Sequence, residues 1–173
     1  MNSFNRFTIK AQEALQKAQD LAAAQNHGEF RALHLLSALI ADSESLVAPI
    51  LSNAGIDADT ISQSIEEELR RLPKIFSTNS VGQIYLSREI LKVIDRAAKG
   101  ALANGDDFIS CEHMLLGMLE VDSPARDLLE RSGLRRDGAL EAMSKLRGSA
   151  KVTSETPEAT FQVLEKYAIN LTE

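Results

Sequence analysis

Tryptophan is absent from this chain and only 5% of its residues are aromatic, which leaves little of the large-ring material that sheet cores favour. The single cysteine, Cys111, rules out an internal disulfide framework and suits a reducing compartment. No apolar run approaches the ~18 residues that cross a bilayer. The start, MNSFNRFTIKA, lacks the apolar stretch of a secretion signal, so a cytoplasmic location is expected. Basic residues are outnumbered: 19 Lys and Arg stand against 25 Asp and Glu, a net charge of −6. That balance argues against nucleic acid and against an anionic membrane as partners. There is no G-x-x-x-x-G-K-[ST] phosphate loop, no G-x-G-x-x-G turn and no G-x-S-x-G elbow, so this chain alone is not expected to hydrolyse ATP or to be an enzyme. H-x-x-x-H and C-x-x-C spacings are also missing. Cys111, Glu112 and His113 are consecutive, and neighbours on a helix point about 100° apart, so they do not converge on one metal ion or one proton.

What the chain does have is a duplication. A shift of 79 positions lays Thr8 on Ser87, Ala18 on Ala97, Ala22 on Ala101 and His34 on His113, and after a one-residue slip Gly55 falls on Gly133. HLLSALI, from His34, thus lies over HMLLGML, from His113. Ala and Leu abound, and the expected fold is all-α: two pseudo-symmetric four-helix repeats in one compact domain. The division is 1–148 for the double repeat (repeat one 8–73, connector 74–86, repeat two 87–148). Residues 149–173 form a linker and lead-in.

Helical spacing places the elements. Thr8 caps a first helix with Ala11, Ala14, Leu15, Ala18, Leu21 and Ala22 inward, closed by Asn26 and Gly28. ALHLLSALIA is apolar nearly all round and predicts a buried helix. Leu46, Val47, Ile50, Leu51 and Ala54 predict a short third helix stopped by Gly55; Ile61, Ile65, Leu69 and Leu72 mark a fourth, and Pro73 closes the unit. KIFSTNSVGQIY shows no helical period and reads as a connector. In the second unit Ser87 caps a helix with Ile90, Val93, Ile94, Ala97 and Ala101 inward, and CEHMLLGMLE is the second buried helix. Pro124 opens a third helix that holds Leu128 and Leu129 and ends at Gly133, and Leu140, Met143 and Leu146 supply the fourth. Beyond a polar loop, Thr156-Pro157 predicts a final short helix striped by Phe161, Leu164 and Tyr167, and the closing INLTE reads as a cut from something longer.

Four groups are candidates for function. His34 and His113 stand at matching starts of the buried helices, either as packed imidazoles bonded to the backbone or as pH sensors. Asp106, Asp107 and Glu112 surround the loop into the second buried helix, as caps for its positive end or as an acidic rim on a groove. Leu91, Ala98 and Leu102 lie beside the core stripe of helix five, forming either a broad buried face or a partly exposed apolar strip. Glu66, Glu67, Glu68, Arg70 and Arg71 read as a solvated helix face.

FNRFTIKAQEALQKAQDLA, LHLLSALI, GDDFISCEHMLLGML and LEKYAINLTE together resemble the N-terminal domain of Clp-family AAA+ unfoldases, over essentially the whole chain. RLPKIFSTN and EKYAINLTE resemble the disaggregase branch of that family. The resemblance implies a mobile helical module tethered to a homohexameric ATPase ring. That module binds unfolded or aggregated protein, with an adaptor or co-chaperone as a further partner. ATP and magnesium would belong to modules outside this chain. By motif match it also implies chaperone roles for Thr8, Asp106 and Glu112. The expected client-binding set is therefore Thr8, Leu91, Ile94, Leu102, Asp106, Glu112 and His113. The rival expectation is an adaptor-docking or regulatory domain of a protease unfoldase. In one protease branch that the chain resembles, each repeat carries Thr-Glu-His before its buried helix, and the resemblance implies that the paired glutamates recognise phosphorylated arginine. Here Glu112 precedes His113 but Leu33 precedes His34, so one carboxylate of that pair is missing.

Overall fold

The computed structural model describes residues 6–75 and 84–148. Within them the chain runs α1 (Ile9–Ala24), β1 (Glu29–Phe30), α2 (Ala32–Ala41), α3 (Val47–Asn53), α4 (Ala58–Arg70), β2 (Tyr85–Leu86), α5 (Arg88–Ala103), α6 (Cys111–Met118), α7 (Pro124–Arg131) and α8 (Arg136–Arg147). The two-by-four helical arrangement expected from the duplication is the one observed, and the helix predicted around Phe161 lies outside the described residues.

The caps act as their side chains dictate. Thr8 Oγ1 accepts the Ala11 N–H at 3.1 Å, and its repeat mate Ser87 accepts the Ile90 N–H at 3.2 Å. Ser123 accepts the Arg126 N–H at 3.1 Å, with Pro124 in the first turn. After α3 and α7 the chain turns through Gly55 and Gly133, at φ 77° and 109°, which an L side chain resists.

The core lies around α2 and α6, the two helices without a polar face. All eight residues of α6 are buried, as are Ala32 to Leu36 of α2. α2 packs on α1, α4 and α7, while α6 packs on α5 and α8. Burying each Leu or Met of this layer stabilises the fold by roughly 1.5–3 kcal/mol. α6 approaches α5 closely: a Cβ on Gly117 would stand 2.7 Å from the Val93 carbonyl oxygen.

The connector holds an element that periodicity did not show. Tyr85–Leu86 pairs in parallel with Glu29–Phe30, and Ser87 N–H donates to the Phe30 carbonyl at 3.1 Å. Phe7 and Ile109 form the matching bridge, with Thr8 N–H donating to the Ile109 carbonyl at 2.9 Å. A shift of 79 converts one pairing into the other. The lead-in to the first helix of each repeat is thus stitched to the lead-in of the buried helix of the other.

Candidate functional site

α5 is built from two stripes. Ile90, Val93, Ala97 and Ala101 are buried against α6. Leu91, Ala98 and Leu102 fall within about 40° of one another at 3.6 residues per turn, offset from that core stripe. The structure leaves the offset row open: Leu91 is 50% and Leu102 70% exposed, with Ala98 and Ile94 half-buried at its edge. The exposed-strip reading of this helix is the one realised. In repeat one the matching positions are Gln12, Gln19 and Ala23, so the strip belongs to the second half alone. On the opposite side of α5, a cleft of about 160 Å³ opens toward α8, lined by Gly100, Ala103, Leu116, Leu140 and Met143.

The expected acidic rim is corrected by the structure. Asp106 is 5% exposed and Glu112 0%, while Asp107 stays at the surface. The reason is Arg147, at the last turn of α8 and itself buried. Its Nη2 and Nη1 donate to Asp106 Oδ1 and Oδ2 at 2.7 and 3.1 Å, and its Nε lies 3.9 Å from Glu112. Asp106 Oδ2 also accepts from His113 Nε2 at 2.7 Å and Asn104 Nδ2 at 3.0 Å. Four donors hold this carboxylate inside the protein, which is the condition for burying a charge. His113 and Thr8 are also buried, at 2% and 0% exposure. Of the expected binding set, Leu91, Ile94 and Leu102 share one face of α5, whereas Thr8, Asp106, Glu112 and His113 belong to the interior. Arg147 was not singled out, because it lies 41 residues from Asp106 and no spacing joins them.

Both histidines take the packed role. Arg31 N–H donates to His34 Nδ1 and Ser110 N–H to His113 Nδ1, each at 2.9 Å. A ring nitrogen that accepts there leaves the proton on Nε2. His113 therefore presents Nε2–H to Asp106. His34 presents its Nε2–H to His27 Nδ1 at 2.8 Å. His27 is the 79-shift mate of Asp106, a signal the duplication contains but the motif reading passed over. Burial, then the neighbouring His27 and Arg31, lower His34 to about 4. Burial first, then Lys74, lowers His27.

Among the described residues, no group of three or more His, Cys, Asp or Glu is placed to hold a metal ion. Among the same residues no helix is long and apolar enough to cross a membrane.

The comparisons with known proteins agree with this architecture. The chain is 39% identical over 172 residues to the chaperone protein ClpB of Mycobacterium leprae, covering 99% of this chain and 20% of that one. It is 34% identical over 168 residues to ClpB of Bacillus cereus, covering 96% and 19%. The chain thus spans about a fifth of the length of these relatives. Among solved structures, the Hsp104 N-terminal domain of Candida albicans superposes with a TM-score of 0.76 at 24% identity, over 88% of this chain and 98% of that one. The N-domain of ClpV from Vibrio cholerae gives a TM-score of 0.68 at 17% identity, over 83% and 86%. The family model of the Clp repeat (R) N-terminal domain matches residues 6–132, which takes in the crossed stitches, both buried helices and the strip on α5, and the chain belongs to that family.

Proposed function

We propose that this chain recruits substrate for an ATP-dependent protein disaggregase of the ClpB type, working in the cytoplasm. Exposed hydrophobic segments of unfolded or aggregated protein dock on α5 and pass to the AAA+ ring of the same hexameric assembly. The observation that carries this reading is the strip: two leucines, 50% and 70% exposed, on one face of a helix whose repeat mate carries Gln12 and Ala23 there. An apolar row kept open to water is a contact surface for apolar chain. The strip buries little area and an unfolded client loses conformational freedom on docking, so binding is weak, which suits transfer to a pore. In this reading ATP and magnesium act in the ring, and this chain performs no reaction. The burial of Thr8, Asp106 and Glu112 gives them a supporting part, holding the start of α1 and the loop before α6 in place.

The test is a titration of the chain with unfolded casein-like polypeptide, comparing it with Leu91→Ser and Leu102→Ser. Both side chains are exposed, so stability should change by no more than about 0.5 kcal/mol while affinity falls several-fold. Unchanged affinity in the folded variants removes the strip. The second reading is docking of a folded adaptor or a defined peptide, as in the ClpA and ClpC branches. It is favoured by a ClpV N-domain solved in complex with a VipB peptide, which shares this fold at a TM-score of 0.69. Preference for a folded adaptor over unfolded chain in the same titration would select it.

A further inference from the structure

α5 carries a second surface row. Arg88, Lys92 and Arg96 recur every fourth residue and so fall on one side of the helix, about 100° round from Leu91 and Leu102. They line a cleft of about 800 Å³ that also takes in Arg31, from the start of α2. None of these four cations forms an ion pair among the described residues. Four of the five carboxylates of the cleft are already engaged. Glu89 Oε2 accepts the Ala32 N–H at 3.0 Å, and Asp95 pairs with Lys99 at 3.0 Å. Glu120 pairs with Arg136 at 3.3 Å and Asp122 with Arg126 at 2.9 Å. The lining itself is balanced, five carboxylates against five cations, but with the paired Asp95, Glu120, Asp122 and Arg126 set aside, Arg31, Arg88, Lys92 and Arg96 face only Glu29 and Glu89.

We propose that this cleft binds an acidic stretch of polypeptide, its carboxylates seated on Arg88, Lys92 and Arg96 with Arg31 beside them. Spacing supports the match. Successive cations of the row are about 6 Å apart along the helix axis. Alternate side chains of an extended chain recur at about 6.8 Å and point the same way. A peptide with an acidic residue at every second position therefore meets the row in register. The five carboxylates of the cleft wall oppose a continuous phosphate backbone, whereas a polypeptide can set neutral residues against them. The inference stands apart from the apolar strip, because the two surfaces lie on different sides of α5.

The experiment is fluorescence anisotropy of this chain with a labelled alternating Glu-Ala peptide and its Gln-Ala counterpart, at ~0.05 M and ~0.2 M salt, where the Debye length falls from ~14 to ~7 Å. The acidic peptide should bind the more tightly and weaken with salt. Arg88→Glu, Lys92→Glu and Arg96→Glu together should weaken it about tenfold or more, since three exposed attractions become repulsions. Arg131→Glu, on α7 outside the cleft, should leave it unchanged. Should the triple reversal lower the melting temperature, the same three positions as Gln serve as the folded variant, with a smaller loss expected. Equal binding of the Gln-Ala peptide, full retention by the row variants, or tighter binding of an oligonucleotide of equal charge would each overturn the proposal. Leu91→Ser with Leu102→Ser should lose unfolded client and keep the acidic peptide, and the row variants should do the reverse.

Discussion

Arg147→Met keeps most of the side chain's length and apolar contact while deleting its charge. In the folded protein the change strands Asp106 and Glu112, 5% and 0% exposed, without the guanidinium between them. Removing one partner of a buried ion pair costs about 3–5 kcal/mol. Asp106 keeps its bonds from His113 and Asn104, which argues for the lower end, about 3 kcal/mol. In a domain of this size 1 kcal/mol is roughly 4 °C, so the melting temperature should fall by roughly 12 °C. Urea unfolding followed by circular dichroism at neutral pH reads this directly. Asp106→Asn in the Arg147→Met background removes one stranded charge, so the double variant should be less unstable than the sum of the singles by about 1–3 kcal/mol. A loss below about 1 kcal/mol for Arg147→Met, or strict additivity, refutes the view that this arginine is what permits two carboxylates inside the fold. The consequence for function is direct: activity lost on changing Asp106 or Glu112 should track lost folded protein.

Two further outcomes follow from the interior. Gly117→Ala sets a Cβ 2.7 Å from the Val93 oxygen and 2.9 Å from the Ala97 nitrogen. Overpacking of about 1–3 kcal/mol should outweigh the ~1 kcal/mol gained in helix propensity, a net loss visible in thermal melts; unchanged stability would mean α5 and α6 part freely. The buried pair His27 and His34 makes stability depend on pH. The unfolded chain takes a proton on each imidazole near 6.5, whereas folded His34 does so only near 4. The unfolded state therefore binds more protons between these values, and stability should decline as pH falls from about 6.5 toward 4, by about 1–3 kcal/mol from His34. His34→Gln should flatten that part of a urea-midpoint profile, and an unaltered slope would count against the buried neutral ring.

The helices were legible because each buries one stripe, and a stripe repeats in sequence. Their starts were legible because Thr8, Ser87 and Pro124 are residues that helix starts select. The strip on α5 showed as an offset on the helical wheel, although a broad buried face was the stronger reading of that offset until its neighbours were in place. What stayed hidden was pairing across the fold. Two-residue strands leave no alternation to read, so the stitches at Phe30 and Ile109 had no signature of their own. Carboxylates at Asp106 and Glu112 suggested water because acids ordinarily seek it. The guanidinium that draws them inward comes from the far end of α8. The cationic row on α5 was plain in its spacing and unremarked, since its significance rests on which neighbouring acids are already taken.

The crossed stitches bear on how such a chain becomes foldable. Each half offers a lead-in that only the other half receives: Phe7 reaches to Ile109, and Leu86 reaches to Phe30. A half released on its own keeps one unreceived lead-in and one vacant acceptor of matching form, so two identical halves complete each other. The molecule is in this sense a two-fold dimer written into one polypeptide, with neither half a complete folding unit. Within one polypeptide the two first helices are free to differ, and Gln12 and Ala23 on one stand where Leu91 and Leu102 lie on the other.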